Sequence, residues 1–144
     1  VYYGGAAMDN TADAIMTGEY SGDNDSWFGS SVSTAGDVNG DGYSDVIVGA
    51  PYYNDDNYGR AYIYYGDAAM DTIADVTMTE EMDMFLGESV SSAGDVNGDG
   101  YSDVIVGAVG YFYRTGRAYV YYGGAAMDNT ADVIMTGEYS VRGP

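Results

Sequence analysis

The sequence predicts an all-β chain of β-propeller blades, each of four antiparallel strands, with about two and a half blades in its 144 residues. Three observations carry that prediction. The stretch Ala35–Ala50, AGDVNGDGYSDVIVGA, recurs unchanged at Ala93–Ala108, so the chain is built from stacked units. A Tyr-rich signature appears three times, as Tyr2-Tyr3-Gly4, Tyr64-Tyr65-Gly66 and Tyr121-Tyr122-Gly123. Short Val-, Ile- and Tyr-rich runs bounded by Gly and Asp then give four strands per unit of about 58 residues. A parallel β-helix needs shorter rungs, and a helical repeat needs long 3.6-residue periodicity that is missing here.

Taken in order, residues 1–21 read as a partial blade holding only third- and fourth-type strands, at Tyr2–Gly5 and Ala12–Thr17. Ala6-Ala7-Met8 has helical propensity, but Asp9-Asn10-Thr11 and the Gly pair before it favour a loop. A full blade follows over 28–80, with strands at Ser31–Ala35, Ser44–Ala50, Arg60–Tyr65 and Ala74–Thr79. A second covers 86–137, with strands at Ser89–Ala93, Ser102–Ala108, Arg117–Tyr122 and Ala131–Thr136, and 138–144 form a tail. Ser44–Ala50 and Ser102–Ala108 are apolar on both faces, as a strand between two layers should be. The Tyr-rich strands suit a pleated, part-buried surface. Propellers close with four to eight blades, so this stretch is expected not to form a closed ring alone.

Composition narrows the function. The chain carries 23 Asp and Glu against 4 Arg, no Lys, and a formal charge of -19, which disfavours nucleic acid and anionic membrane surfaces as partners. Disorder is the other reading of such acidity, and 46% apolar and 15% aromatic residues with only two Pro argue against it. Cys and His are both absent, which removes disulfides, thiolate sites, mixed zinc sites and His-dependent triads. No apolar run approaches the roughly 18 residues of a membrane span, and no signal peptide opens the sequence.

Each copy of the repeat holds D-x-N-x-D-G-x-x-D just before an apolar strand. Oxygen atoms from alternate residues of a tight Gly-containing loop can converge on one hard cation. Asp37, Asn39, Asp41 and Asp45, with the carbonyl of Tyr43, form the first such set; Asp95, Asn97, Asp99 and Asp103, with the carbonyl of Tyr101, form the second. Asp45 and Asp103 begin the following strands and are the expected bidentate ligands. Crowded carboxylates repel one another, and a divalent ion relieves that penalty. A flexible loop with a backbone oxygen suits Ca²⁺ better than the tight octahedron of Mg²⁺, so two calcium sites are expected. A favoured Asn-Gly or Asp-Gly turn would explain the loop centre, but not Asp37 and Asp45 flanking it in both copies.

Phe28-Gly29, the loop Asp37–Asp45, Gly49-Ala50-Pro51 and Gly59-Arg60 before a Tyr strand together resemble the FG-GAP family, the repeat of the integrin alpha-chain propeller and its bacterial relatives. The second repeat matches through Gly87, Asp95–Asp103 and Gly107-Ala108, with Leu86 in place of Phe and Val109 in place of Pro. The resemblance implies propeller blades, calcium between the first two strands, and an extracellular or cell-surface setting in adhesion or ligand recognition.

Other features are weaker. Asp23, Asp25, Asp55 and Asp56 read as solvated loop acids, and the repeated Met and Tyr positions as packing residues, with exposed Tyr and Trp27 as a candidate binding face. Asn24-Asp25-Ser26 matches an N-glycosylation acceptor, a pattern that chance produces often. Catalysis is not expected, because the paired carboxylates belong to the loops and no Ser has an activating base. Pro51–Tyr58 and Val109–Thr115 differ within a constant frame, as recognition loops for a protein or glycan would. Val1–Ser21 and Val120–Ser140 are identical except for Ala14 against Val133. Their neighbouring surfaces are therefore interchangeable, and self-association through blade faces or terminal strands, closing as a ring or running on as a filament, is the alternative expectation.

Overall fold

A computed structural model of the chain describes residues 1–19, 25–54, 58–111 and 115–138. Strands β1 (Ser31–Gly36), β2 (Asp45–Ala50), β3 (Tyr58–Tyr64) and β4 (Val76–Met84) form one antiparallel sheet in the order β1-β2-β3-β4. Strands β5 (Leu86–Gly94), β6 (Asp103–Ala108), β7 (Arg117–Tyr121) and β8 (Val133–Thr136) form a second in the order β5-β6-β7-β8. The described residues hold no helix. The chain is all-β, and each sheet is a propeller blade. Asn24, Asp23, Asp55 and Asp56 lie outside the described residues.

The central strands have the two-sided burial that their apolar runs require. In β2, Ile47 pairs with Ile63 and Val48 with Tyr62, so successive pairs face opposite sides of the blade. Ile47, Ala61, Ile63 and Met78 are fully buried against Val104, Val106, Tyr119 and Tyr121 of the second blade, forming one core shared by both sheets. The other face of the first blade gathers Val48, Ala50, Tyr62 and Tyr64, covered by Phe28, Met16, Met70 and Ala74.

The blade boundary is sharper than the sequence suggests. Only Phe85 separates β4 from β5, and it turns the chain with φ 67°; Trp27 occupies the matching place before Phe28 with φ 52°. A bulky residue in the left-handed region is uncommon and marks a constrained corner. Tyr52 braces both corners, its ring 4.7 Å from Trp27 and 5.1 Å from Phe85. The repeated corner is thus aromatic-apolar-Gly, and Leu86 in place of Phe leaves it intact.

The first segment departs from expectation. No strand forms at Tyr2–Gly5 or Ala12–Thr17. A lone strand pair is marginal without further strands to pair with, and residues 1–19 join neither of the two described sheets. The local turn survives nevertheless. Asp13 N–H donates to the Val1 carbonyl (3.0 Å), as Asp75 does to Ile63 and Asp132 to Val120 (both 2.9 Å). The carboxylates of Asp13, Asp75 and Asp132 each accept the N–H of Tyr3, Tyr65 and Tyr122 at 2.7 Å. Residues 1–19 therefore hold the place of an outer half-blade by turn bonds and by Met16.

The corner Leu86-Gly87 docks into the first blade. Ser31 Oγ donates to the Gly87 carbonyl at 2.7 Å, and a Cβ at Gly49 or Gly59 would overlap the backbone of Gly87 or Leu86. Gly59→Ala should accordingly cost about 2–3 kcal/mol of stability through overpacking. Gly124→Ala, whose Cβ meets nothing within 4 Å, should stay within about 0.5 kcal/mol of the parent. Urea unfolding of the two variants checks the contrast, and equal effects would mean the corner has room to spare.

Candidate metal centre

Both acidic loops fold in the same way, and the sequence dictates how. Gly40 and Gly42 take φ 78° and 93°, and Gly98 and Gly100 take φ 80° and 94°, a left-handed backbone that suits Gly. With the chain turned back, the first Asp of each loop collects its N–H groups. Asp37 accepts from Gly40 (2.7 Å), Asp41 (3.1 Å) and Gly42 (2.9 Å). Asp95 accepts from Gly98 (2.7 Å), Asp99 (3.0 Å) and Gly100 (3.0 Å). Asn39 and Asn97 accept the N–H of Asp41 and Asp99 at 3.0 Å while their amides donate to those carboxylates at 2.8 Å. Asp41 and Asp99 in turn accept the N–H of Tyr43 (2.8 Å) and Tyr101 (3.0 Å).

Asp45 and Asp103 have a role that the sequence reading missed. They are the two buried charged side chains of the described core, 1% and 0% exposed. Asp45 accepts Val38 N–H and Gly66 N–H, both at 2.7 Å. Asp103 accepts Val96 N–H at 2.8 Å and Gly123 N–H at 2.9 Å. Each carboxylate thus ties its own loop to the end of the Tyr strand. The repeated Gly after each Tyr-Tyr pair was the available signal. Burial raises the Asp45 carboxyl above its ordinary range; the two N–H groups pull it back in part, and the charges of Asp41 and Asp37 raise it further.

The described side chains point onto backbone donors, and among the described residues no three acidic groups are gathered as a metal centre. The donor set nonetheless fits a hard cation in kind. Every group is oxygen, and a carboxylate oxygen holding one N–H keeps a further lone pair. The crowding of Asp37 and Asp41 near buried Asp45 is the electrostatic situation that a divalent ion relieves.

Position adds a second property. The first loop is pinned by the second blade, since Ser102 N–H donates to the Asp37 carbonyl (3.0 Å) and Gly124 N–H to the Val38 carbonyl (2.7 Å). The Tyr101 ring lies over Gly40. Beside the first loop, Asn39, Asp41, Tyr43, Asp67, Asp71 and Asp75 help line a cleft of about 360 Å³. Asp75 recurs as Asp13 and Asp132, a threefold repetition that sequence reading passed over. The variable loops share anchors of their own, with Arg60 stacked 3.4 Å over Tyr53 and Arg117 3.4 Å over Tyr111.

Comparison with known proteins agrees with this architecture. The FG-GAP repeat model matches residues 28–64 and 86–121. Integrin alpha-6 of Gallus gallus is 36% identical over 107 residues, covering 71% of this chain and 10% of that protein. Integrin alpha-5 of Xenopus laevis is 33% identical over 118 residues, covering 76% of this chain and 11% of that protein. Integrin alpha-2 of Bos taurus is 40% identical over 91 residues, covering 58% and 8%. The chain spans about a tenth of the length of the curated relatives it matches.

The tie made by Asp45 can be separated from metal binding. In chelator, Asp45→Ala leaves two buried N–H groups unpaired, at about 1–3 kcal/mol each, so a loss of about 3–5 kcal/mol is expected. Asn39→Ala, in an exposed turn, should cost about 1 kcal/mol or less. Urea denaturation with EDTA present measures both, and comparable losses would show that the buried tie contributes little.

Proposed function

The chain belongs to the FG-GAP repeat family, and on that premise we propose that it is a calcium-stabilised, non-catalytic propeller module that works outside the cell as a scaffold for adhesion or ligand recognition. The duplicated loop carries the reading. Two all-oxygen donor sets sit at the same edge of two blades, each built around a buried carboxylate. Asp37, Asn39, Asp41, Tyr43 and Asp45 would hold one ion, and Asp95, Asn97, Asp99, Tyr101 and Asp103 the other. Bound calcium supplies compensating charge and rigidity, and no bond-making chemistry. The chain's own part is to present the carboxylates, exclude water from Asp45 and Asp103, and fix the loop at the blade junction.

Recognition is assigned to the variable loops. Their sequences differ while the Arg-on-Tyr stack at the base of each is the same. That is a constant anchor under changeable content, which suits a protein or glycan ligand read by loops on a rigid frame. The integrin alpha relatives support the extracellular, adhesive setting.

Thermal melting tests the calcium reading. Calcium at about a hundred times its Kd on both loops would add about 5 kcal/mol. For a chain of this length that raises Tm by about 10–20 °C. Magnesium should achieve much less, and Asp41→Ala with Asp99→Ala should abolish the rise. A Tm indifferent to calcium and EDTA would reject the metal sites.

A further inference from the structure

We propose that the two acidic loops act as one coupled unit, so that fixing either loop raises the order and the cation affinity of the other. The affinity half of this statement rests on the calcium reading above, and the order half rests on hydrogen bonds alone. A continuous path joins two buried carboxylates, one from each blade. Asp103, 0% exposed, accepts the N–H of Gly123 at 2.9 Å. The next residue, Gly124, donates its own N–H to the Val38 carbonyl at 2.7 Å. Val38 is fully buried, and its N–H donates to Asp45 at 2.7 Å. Three hydrogen bonds and two short pieces of backbone thus link Asp103 of the second loop to Asp45 of the first. Gly123 is clamped at the middle of this path, because a Cβ there would overlap the carbonyls of Ser102 and Val38.

A second path runs beside the first. Tyr101 N–H donates to Asp99 within the second loop at 3.0 Å, while the Tyr101 ring lies over Gly40 of the first loop. Ser102 donates its N–H to the Asp37 carbonyl at 3.0 Å, and its side chain fills the space beside Gly36. One dipeptide therefore belongs to both loops.

Shared bonds make the coupling compulsory. Opening the second loop takes the Gly124 and Ser102 N–H groups away from the carbonyls of Val38 and Asp37. Val38 lies in a dry interior, where water does not replace the lost bond. Opening the first loop leaves the same two donors unpaired from the other side. Once one loop is open, those bonds no longer oppose opening of the other. That is positive coupling, and linkage makes it equal in both directions. Coupling of ordinary size changes an equilibrium about 5–150-fold, and two shared bonds place this case at about tenfold.

Amide hydrogen exchange of the full chain in EDTA tests the order half without metal. Asp95→Ala removes the acceptor of three N–H groups that all lie within the second loop. Exchange of the Val38 N–H should quicken about tenfold relative to the amides of β3 in the same blade. Tyr101→Ala loses the ring over Gly40 and keeps the second loop's donor set, and it should quicken Val38 by a smaller factor. Val38 quickened no more than β3 in both variants would overturn the proposal, since that is either no effect or a general loosening. Calcium titration followed at the Gly40 and Gly98 amides tests the affinity half. The loops of the parent should fill together with a Hill coefficient above one, and the first loop of Asp95→Ala should fill alone at about tenfold higher calcium. Independent filling in the parent, with an unshifted first loop in the variant, would overturn that half. If calcium moves neither loop, the calcium reading fails, and the exchange rates still decide whether the loops are coupled.

Discussion

A sheet that is apolar on both faces must be covered on both, and the rest of this structure follows from how each blade meets that demand. Ile47, Ile63 and Met78 on one side of the first blade find Val104, Val106 and Tyr121 of the second. Close approach then becomes compulsory at the crossing points. This is why Gly49 and Gly59 lie where the Leu86-Gly87 backbone passes, and why the chain turns within one residue at Phe85. Burial drives the stacking, and the missing side chains permit it.

The acidic loops are part of the same economy. A loop at the mouth of two stacked sheets turns most of its backbone N–H groups outward and carries that of Val38 into the dry interior, where an unpaired donor is costly. Asp37 and Asp45 accept four of those N–H groups between them, and Asp45 accepts a fifth from Gly66 at the end of the Tyr strand. Burial is what chiefly raises the Asp45 carboxyl, and the charges of Asp41 and Asp37 gathered beside it add to the rise. Backbone pairing and the gathering of carboxylates therefore arise from one arrangement. Because the second blade bonds the first loop through Ser102 and Gly124, whatever rigidifies that loop also rigidifies the junction between blades.

Residues 1–19 form no strand, yet keep the turn bonds of Asp13 and the packing of Met16. They cover part of one face of the first blade through Met16.

The sequence by itself determined the two full blades, their four-strand order, the positions of both acidic loops and the oxygen character of their side chains. Each of these is written in local repetition, which needs no third dimension to be read. Strand ends were read to within a few residues, except for β4, which runs on to Met84 because Tyr58 pairs there across a bulge. Tertiary structure alone decided three matters. It buried Asp45 and Asp103 and gave them partners about twenty residues away, at Gly66 and Gly123. It made Trp27 and Phe85 equivalent corners, although Leu86 stands where the first repeat has Phe28. It also withheld strand structure from residues 1–19. In every case the outcome depends on which surface another part of the chain supplies, and repetition in a sequence specifies the unit but not its neighbours.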